Sequence, residues 1–249
     1  MNLHTIGALL AVVIPPLFVI CFLKITFKLR IIISILCLCC TMVLFLSDSG
    51  SGWLAFIVSI TFILLCWRRW LAWVLLTVEG MTAIAAVIYY DQTHWLKATF
   101  STSSLNSRIT LWQNTFELLK GKAAVLGLGP GAWLRVYSSH YTIIAAIVEN
   151  SYLQLYCDAG ILGFVAMVLA AIIFVRYVIN LLKSNPRNSQ TWIGIGLVAS
   201  IIAGAVFAIF DTTHSITYVT DKGYIYLALP LLWIGAALIS VMENKLSTH

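Results

Sequence analysis

The chain has 249 residues, 61% of them hydrophobic and only 10% charged, with a mean hydropathy of +0.97. Soluble domains carry about 25% charged residues, so one water-soluble core cannot absorb this much apolar surface. Six cysteines are too sparse for a secreted disulfide scaffold, and five of them (Cys21, Cys37, Cys39, Cys40, Cys66) lie in apolar runs. The net charge of +6 is gathered between apolar segments, a membrane-topology footprint that argues against nucleic-acid binding.

A helix needs about 20 mostly apolar residues to cross the hydrocarbon layer. Seven segments qualify, approximately 6–23, 31–46, 53–67, 70–90, 159–182, 191–210 and 223–242. The second and third are short and call for flanking residues. Pro15-Pro16 is expected to kink the first, which lipid tolerates where a neighbouring helix satisfies the freed carbonyls. Glu79, in the middle of the fourth, is an intramembrane acid and a functional candidate by position, either for a proton path or as a protonated hydrogen-bonding group.

Charge alternates across the connections. Lys24, Lys28 and Arg30 follow the first span, Arg68 and Arg69 the third, Arg176, Lys183 and Arg187 the fifth, and Lys245 the seventh. The intervening loops carry Asp48, and Asp211 with Asp221 and Lys222. Positive short loops stay cytoplasmic, which puts the amino terminus outside and the carboxyl terminus inside. An odd span count with no leading signal suggests a truncated or short form of a longer protein. The expected architecture is an all-α integral membrane protein of about seven transmembrane helices. Four lie in 1–90, a long outer (periplasmic) loop spans 91–158, and three lie in 159–249.

A loop of this length is functional more often than a connector. Ser103 or Ser104 is placed to cap a helix running to about Lys120. Leu105, Ile109, Trp112, Phe116 and Leu119 recur at helical spacing, predicting an interfacial amphipathic helix with Trp112 at headgroup level. Arg108 lies on the edge of that stripe. It reads either as a snorkelling side chain or as a guanidinium aimed at a bound phosphate. Gly127-Leu128-Gly129-Pro130-Gly131 reads as a turn or as an anion-binding nest, and it is not a P-loop. Asn150 or Ser151 can cap the fifth span, placing Glu149 at the positive helix end. His94, His140 and His214 match no compact zinc spacing, and no Asp-x-Asp pair exists to hold a divalent ion. Tyr137, His140 and Tyr141 are saccharide-pocket or interface candidates.

Taken in order, four motifs resemble the bacterial O-antigen ligase and O-antigen polymerase superfamily of polytopic glycosyltransferases. They are Ser-Gly-Ser-Gly-Trp-Leu-Ala (49–55), Arg-x-x-x-Trp (Arg108, Trp112), Gly-Leu-Gly-Pro-Gly (127–131), and Asn-Ser-Tyr-Leu-Gln (150–154) closing on Gly-Ile-Leu-Gly (160–163). Two positions depart from the pattern. Glu149 stands where ligases usually have histidine, which leans toward a polymerase-like or divergent member, and Gly50 stands where an arginine is common.

The resemblance implies transfer of a glycan from undecaprenyl diphosphate to an acceptor hydroxyl, at the outer face of the inner membrane. The product would enter lipopolysaccharide or another surface polysaccharide. The residue chemistry fits such a step, with Arg108 and Glu149 as the catalytic candidates: Arg108, or as second choice Arg135, would stabilise the diphosphate, and Glu149 would act as base. Arg135, Asn150, Gly127, Gly129, Gly131, Trp112 and His140 are the substrate-binding candidates. The expected partners are the lipid-linked donor, a glycan or lipid A core acceptor and membrane lipids, with no metal or cofactor. A transporter or a non-catalytic subunit of polysaccharide export is the alternative, and Glu79 with the Pro15-Pro16 pair favours the former.

Overall fold

A computed structural model of the chain describes residues 3–23, 25–47, 49–88, 102–142, 148–183 and 189–210. Regular structure among them is entirely helical. In chain order it comprises α1 (Leu3–Ile20), α2 (Phe27–Leu46), α3 (Gly50–Trp67), α4 (Arg69–Ile88) and α5 (Thr102–Leu118). A short α6 (Lys122–Leu126), α7 (Trp133–His140), α8 (Ser151–Lys183) and α9 (Ser189–Phe210) follow.

Four stretches are long and apolar enough to cross a bilayer: Phe27–Leu46, Gly50–Trp67, Ser151–Asn180 and Thr191–Phe210. Ile6–Ile20 and Arg69–Val78 are shorter apolar helices at the expected first and fourth spans. The seventh expected span, 223–242, lies outside the described residues. So do Lys24, Asp48, His94, Lys97, Arg187, Asp211, His214, Asp221, Lys222, Lys245 and the side chain of Glu79. The fifth span begins earlier than its hydropathy suggests, because α8 already starts at Ser151. Gly160, at φ 61° and ψ −157°, breaks it into two helical pieces.

The described residues form two compact units. One comprises those up to 88 with 177–183 and 189–207, and the other 102–142, 148–176 and 208–210. Small side chains carry the packing of the first. Ala8, Ala11, Ala55 and Ala203 surround Phe207, and Val19, Ile63, Ile195 and Ala199 form a second cluster. Lipid tails are as apolar as leucine, so membrane helices gain from close approach more than from removing apolar surface from water. The serine-glycine motif at 49–52 serves this packing. Ser49 caps α3 by accepting the Gly52 N–H at 3.2 Å, and a Cβ on Gly52 would lie 3.2 Å from the Gly7 carbonyl.

The double proline has a specific remedy. Pro16 has no N–H to offer the carbonyl of Val12 one turn earlier. The Ser200 hydroxyl of α9 donates to that oxygen at 2.6 Å. Gly196, one turn before Ser200, permits the approach: a Cβ there would sit 3.1 Å from Pro16 Cα. The freed carbonyl is satisfied by a neighbouring helix, as the sequence leads one to expect.

The second unit has its own core of Leu111, Leu119, Trp133, Tyr137, Val148, Leu153 and Cys157. Of the expected apolar stripe, Leu119 enters this core while Ile109 and Phe116 are 48% and 56% exposed, and Leu111 and Thr115 are buried as well. Thr115 is admitted because its hydroxyl donates to the Leu111 carbonyl at 2.7 Å and accepts the Trp133 indole N–H at 3.1 Å. A satisfied hydroxyl turns a polar position into a core position. Ser103 and Ser104 fall in the first turn of α5, not before it, since the helix already begins at Thr102.

Candidate active site

The site is built around residues 148–150, immediately before α8. Asn150 caps that helix, its Oδ1 accepting the Leu153 N–H at 2.9 Å, while its Nδ2 donates to the Ile209 carbonyl at 2.9 Å. Glu149 has φ 55°, the left-handed region that a side chain with a Cβ rarely occupies and that costs on the order of 1 kcal/mol. Such a conformation persists only when its surroundings fix it. Two residues of α5 do so: the Trp112 indole N–H donates to the Val148 carbonyl at 3.0 Å, and Arg108 Nε lies 2.9 Å from Glu149 Oε2. Arg108 and Trp112 are four residues apart and share one helix face. The Arg-x-x-x-Trp spacing therefore grips two consecutive residues of a strained turn.

The guanidinium has a second anchor. Its Nη1 donates to the carbonyl of Phe210, the last residue of α9, at 2.9 Å. Unpaired carbonyls at a helix end attract a cation, so Arg108 is held between a carboxylate and a helix terminus. The Arg108 and Glu149 side chains are 28% and 34% accessible, open enough to meet a solute. An ion pair so exposed adds at most about 1 kcal/mol to stability. The contact is also poorly directed. Nε is buried and makes no hydrogen bond, so the 2.9 Å approach is electrostatic, without the N–H pointing along it.

The glycine-rich turn packs against the break in α8. Leu128 N–H donates to the Cys157 carbonyl at 2.5 Å, Gly131 N–H to Asp158 Oδ1 at 3.2 Å, and Gly127 N–H to the Ala123 carbonyl at 2.9 Å. Gly127 has φ 76°, and a Cβ there would fall 2.7 Å from the Asp158 carbonyl carbon and the Gly160 nitrogen. Asp158 also accepts the Gln154 amide N–H at 3.0 Å. These backbone N–H groups are thus paired within the chain, an arrangement that suits the turn reading of Gly127 and Gly131. Gly129, at φ 93°, has open space around it.

Two candidates stand apart. Arg135 is exposed on α7. His140, in the last turn of α7, is exposed with Nδ1 near Ser139 Oγ (2.9 Å) and the Val136 carbonyl (3.0 Å). Neither touches Arg108 or Glu149 among the described residues. Next to His140, Tyr141 donates its phenol to Glu117 Oε2 at 2.6 Å. That bond and the carboxylate's charge push the phenol above its ordinary pKa.

Asn150 also borders an apolar groove of about 430 Å³, walled by Trp112, Phe116, Tyr152, Tyr156, Ile161 and Phe164. A charged pair and an apolar channel are thus joined through one turn of chain. Such a neighbourhood suits an amphiphile with an anionic head and a hydrocarbon tail.

A family model described as O-antigen ligase matches residues 33–168, more than half of the chain. The chain belongs to the O-antigen ligase family. A search of curated proteins gives no match. The matched region of this O-antigen ligase family member carries Arg108, Trp112, the glycine turn, Glu149 and Asn150. Membership makes it a membrane-embedded protein with a glycosyltransferase-like role in O-antigen chemistry. The backbone contributions of Ile209 and Phe210 were not foreseen. No residue type signals that a particular helix end will be used as a partner.

Proposed function

We propose that the chain transfers a glycan from undecaprenyl diphosphate to an acceptor hydroxyl at the outer face of the bacterial inner membrane, without a metal. The observation that carries this reading is the Arg108–Glu149 pair, at 2.9 Å, beside the apolar groove. The prenyl chain lies in the groove and the diphosphate meets Arg108. The acceptor oxygen attacks the anomeric carbon, the carbon–oxygen bond to phosphate breaks, and the diphosphate leaves with the electron pair. Arg108 stabilises that developing charge. Glu149 takes the acceptor proton as general base, in a position where ligases of this family usually have histidine. Asn150 and Trp112 hold both groups, and Arg135 and His140 meet the saccharide further out.

Arg108→Ala tests the proposal. In membranes carrying the variant, transfer from lipid-linked donor should disappear while the protein remains inserted and folded. Full activity would remove Arg108 from the site, and tolerance of every substitution in the loop would favour a non-catalytic assembly subunit.

A further inference from the structure

Resting on that reading, a further step concerns how the site is loaded. In the structure the cation and the base neutralise each other, so neither is ready for its role. We propose that the Arg108–Glu149 pair is a resting-state latch, opened when a diphosphate takes the carboxylate's place on the guanidinium. Three observations support an exchange. Nε–H is buried and makes no hydrogen bond, although Glu149 Oε2 is 2.9 Å away. A phosphate oxygen approaching in the guanidinium plane would pair with that N–H in the fork geometry that arginine offers to phosphates.

The guanidinium would also keep its place when the carboxylate leaves. Nη1 remains bonded to the Phe210 carbonyl at 2.9 Å, and Trp112 remains bonded to the Val148 carbonyl at 3.0 Å. Glu149 is the least settled member of the set. Its φ of 55° is held against the ordinary preference of its side chain, and loss of the ion pair removes one of the contacts that keep it there. Diphosphate binding thus does two things at one contact: it charges the leaving-group subsite and releases the carboxylate toward the acceptor hydroxyl. No covalent bond changes in this step. One anion replaces another.

Binding separates this idea from the transfer reaction. The full chain in nanodiscs is titrated with farnesyl diphosphate, following tryptophan fluorescence, since Trp112 borders the groove. A latch predicts that Glu149→Gln binds the probe about tenfold more tightly than wild type while losing transfer. Removing any negative charge nearby would also help an anion, so Glu149→Asp is the discriminating variant. It keeps the charge but shortens the reach to Nε, and it too should bind more tightly. Glu117→Gln, an exposed carboxylate on the same helix, should leave binding unchanged. Arg108→Lys, which keeps the charge without the fork, should weaken it about tenfold. Weaker or unchanged binding by Glu149→Asp overturns the latch, whatever Glu149→Gln does, because the contact with Nε would then not be what holds the anion off. Probe binding with the expected variant pattern but no transfer would uphold the latch and refute the transferase reading. No probe binding by the wild-type chain would refute both.

Discussion

Arg108 and Trp112 stand one helical turn apart on α5 and hold consecutive residues of a single turn. The guanidinium lies 2.9 Å from the Glu149 carboxylate, and the indole donates to the Val148 carbonyl at 3.0 Å. The tryptophan is therefore a clamp on the turn that carries Glu149, and its ring edge matters as much as its bulk. Trp112→Phe keeps an aromatic wall for the groove but leaves the Val148 carbonyl, on a fully buried residue, without its donor. The expected cost is about 1–2 kcal/mol, read as a lower thermal midpoint in detergent. Transfer should fall further than the folded fraction does, because Glu149 loses part of the support for its backbone. A variant as stable and active as wild type would make the indole bond incidental.

The glycine turn separates packing from ligand binding. Gly127→Ala places a Cβ 2.7 Å from backbone atoms at the α8 break, at φ 76°. Backbone cannot give way as a side-chain tip can, so a loss above about 3 kcal/mol is expected, enough to deplete the folded protein. Gly129→Ala has open space and meets only the backbone preference at φ 93°, about 1 kcal/mol. Comparing thermal midpoints checks this ordering. If Gly129→Ala instead abolishes transfer at near-normal stability, the exposed middle of the turn contacts substrate.

On α1, Ser200→Ala leaves the Val12 carbonyl opposite Pro16 with no donor. The serine bond is 2.6 Å and part-buried, and an unmet carbonyl in an apolar setting costs roughly 1–3 kcal/mol. Ser200→Thr retains the hydroxyl and should recover most of that loss. Equal midpoints for wild type and Ser200→Ala would show that the Val12 carbonyl needs no partner.

Tyr141 offers a pH test. Its phenol donates to Glu117, which favours the protonated form and raises the pKa. A folded-state value above the unfolded one means the contribution is present at neutral pH and is lost as pH rises through the folded-state value, beyond about 10. Difference absorbance of the phenolate should show Tyr141 titrating later than ordinary tyrosine. Glu117→Gln should move it back toward the ordinary range. A titration unaffected by that substitution would detach the phenol from the carboxylate.

Much of this was legible in the sequence, for identifiable reasons. Long apolar runs mark lipid-crossing helices whatever their neighbours do, so the helices between Phe27 and Trp67 and the span ending at Phe210 fell close to where hydropathy placed them, whereas α8 starts at Ser151, ahead of its apolar run. Asn150 as a cap was readable because capping is local chemistry. The face that α5 buries was not, because one of the two bonds that admit Thr115 to the core comes from the Trp133 indole, 18 residues away. Arg108 and Glu149 were singled out separately, by an off-pattern charge and by a helix end. Their meeting depends on a left-handed residue and on the carbonyls of Ile209 and Phe210, which no side-chain pattern encodes.

Asn150 performs two tasks with different atoms, and substitutions can part them. Its Oδ1 caps α8 through the Leu153 N–H, and its Nδ2 holds the Ile209 carbonyl, adjacent to the Phe210 carbonyl that anchors Arg108. Asn150→Ala removes both, about 1 kcal/mol for the cap and a similar amount for the second bond. Asn150→Asp keeps an acceptor that caps as well as asparagine does, but it offers no donor and sets a carboxylate against a carbonyl oxygen. The aspartate variant should therefore begin α8 normally, yet lose stability and transfer because the α9 end no longer fixes the guanidinium. Amide hydrogen exchange resolves the two tasks: Leu153 should stay protected in Asn150→Asp and become labile in Asn150→Ala. If the aspartate variant transfers glycan at the wild-type rate, the bond to Ile209 has no part in placing Arg108.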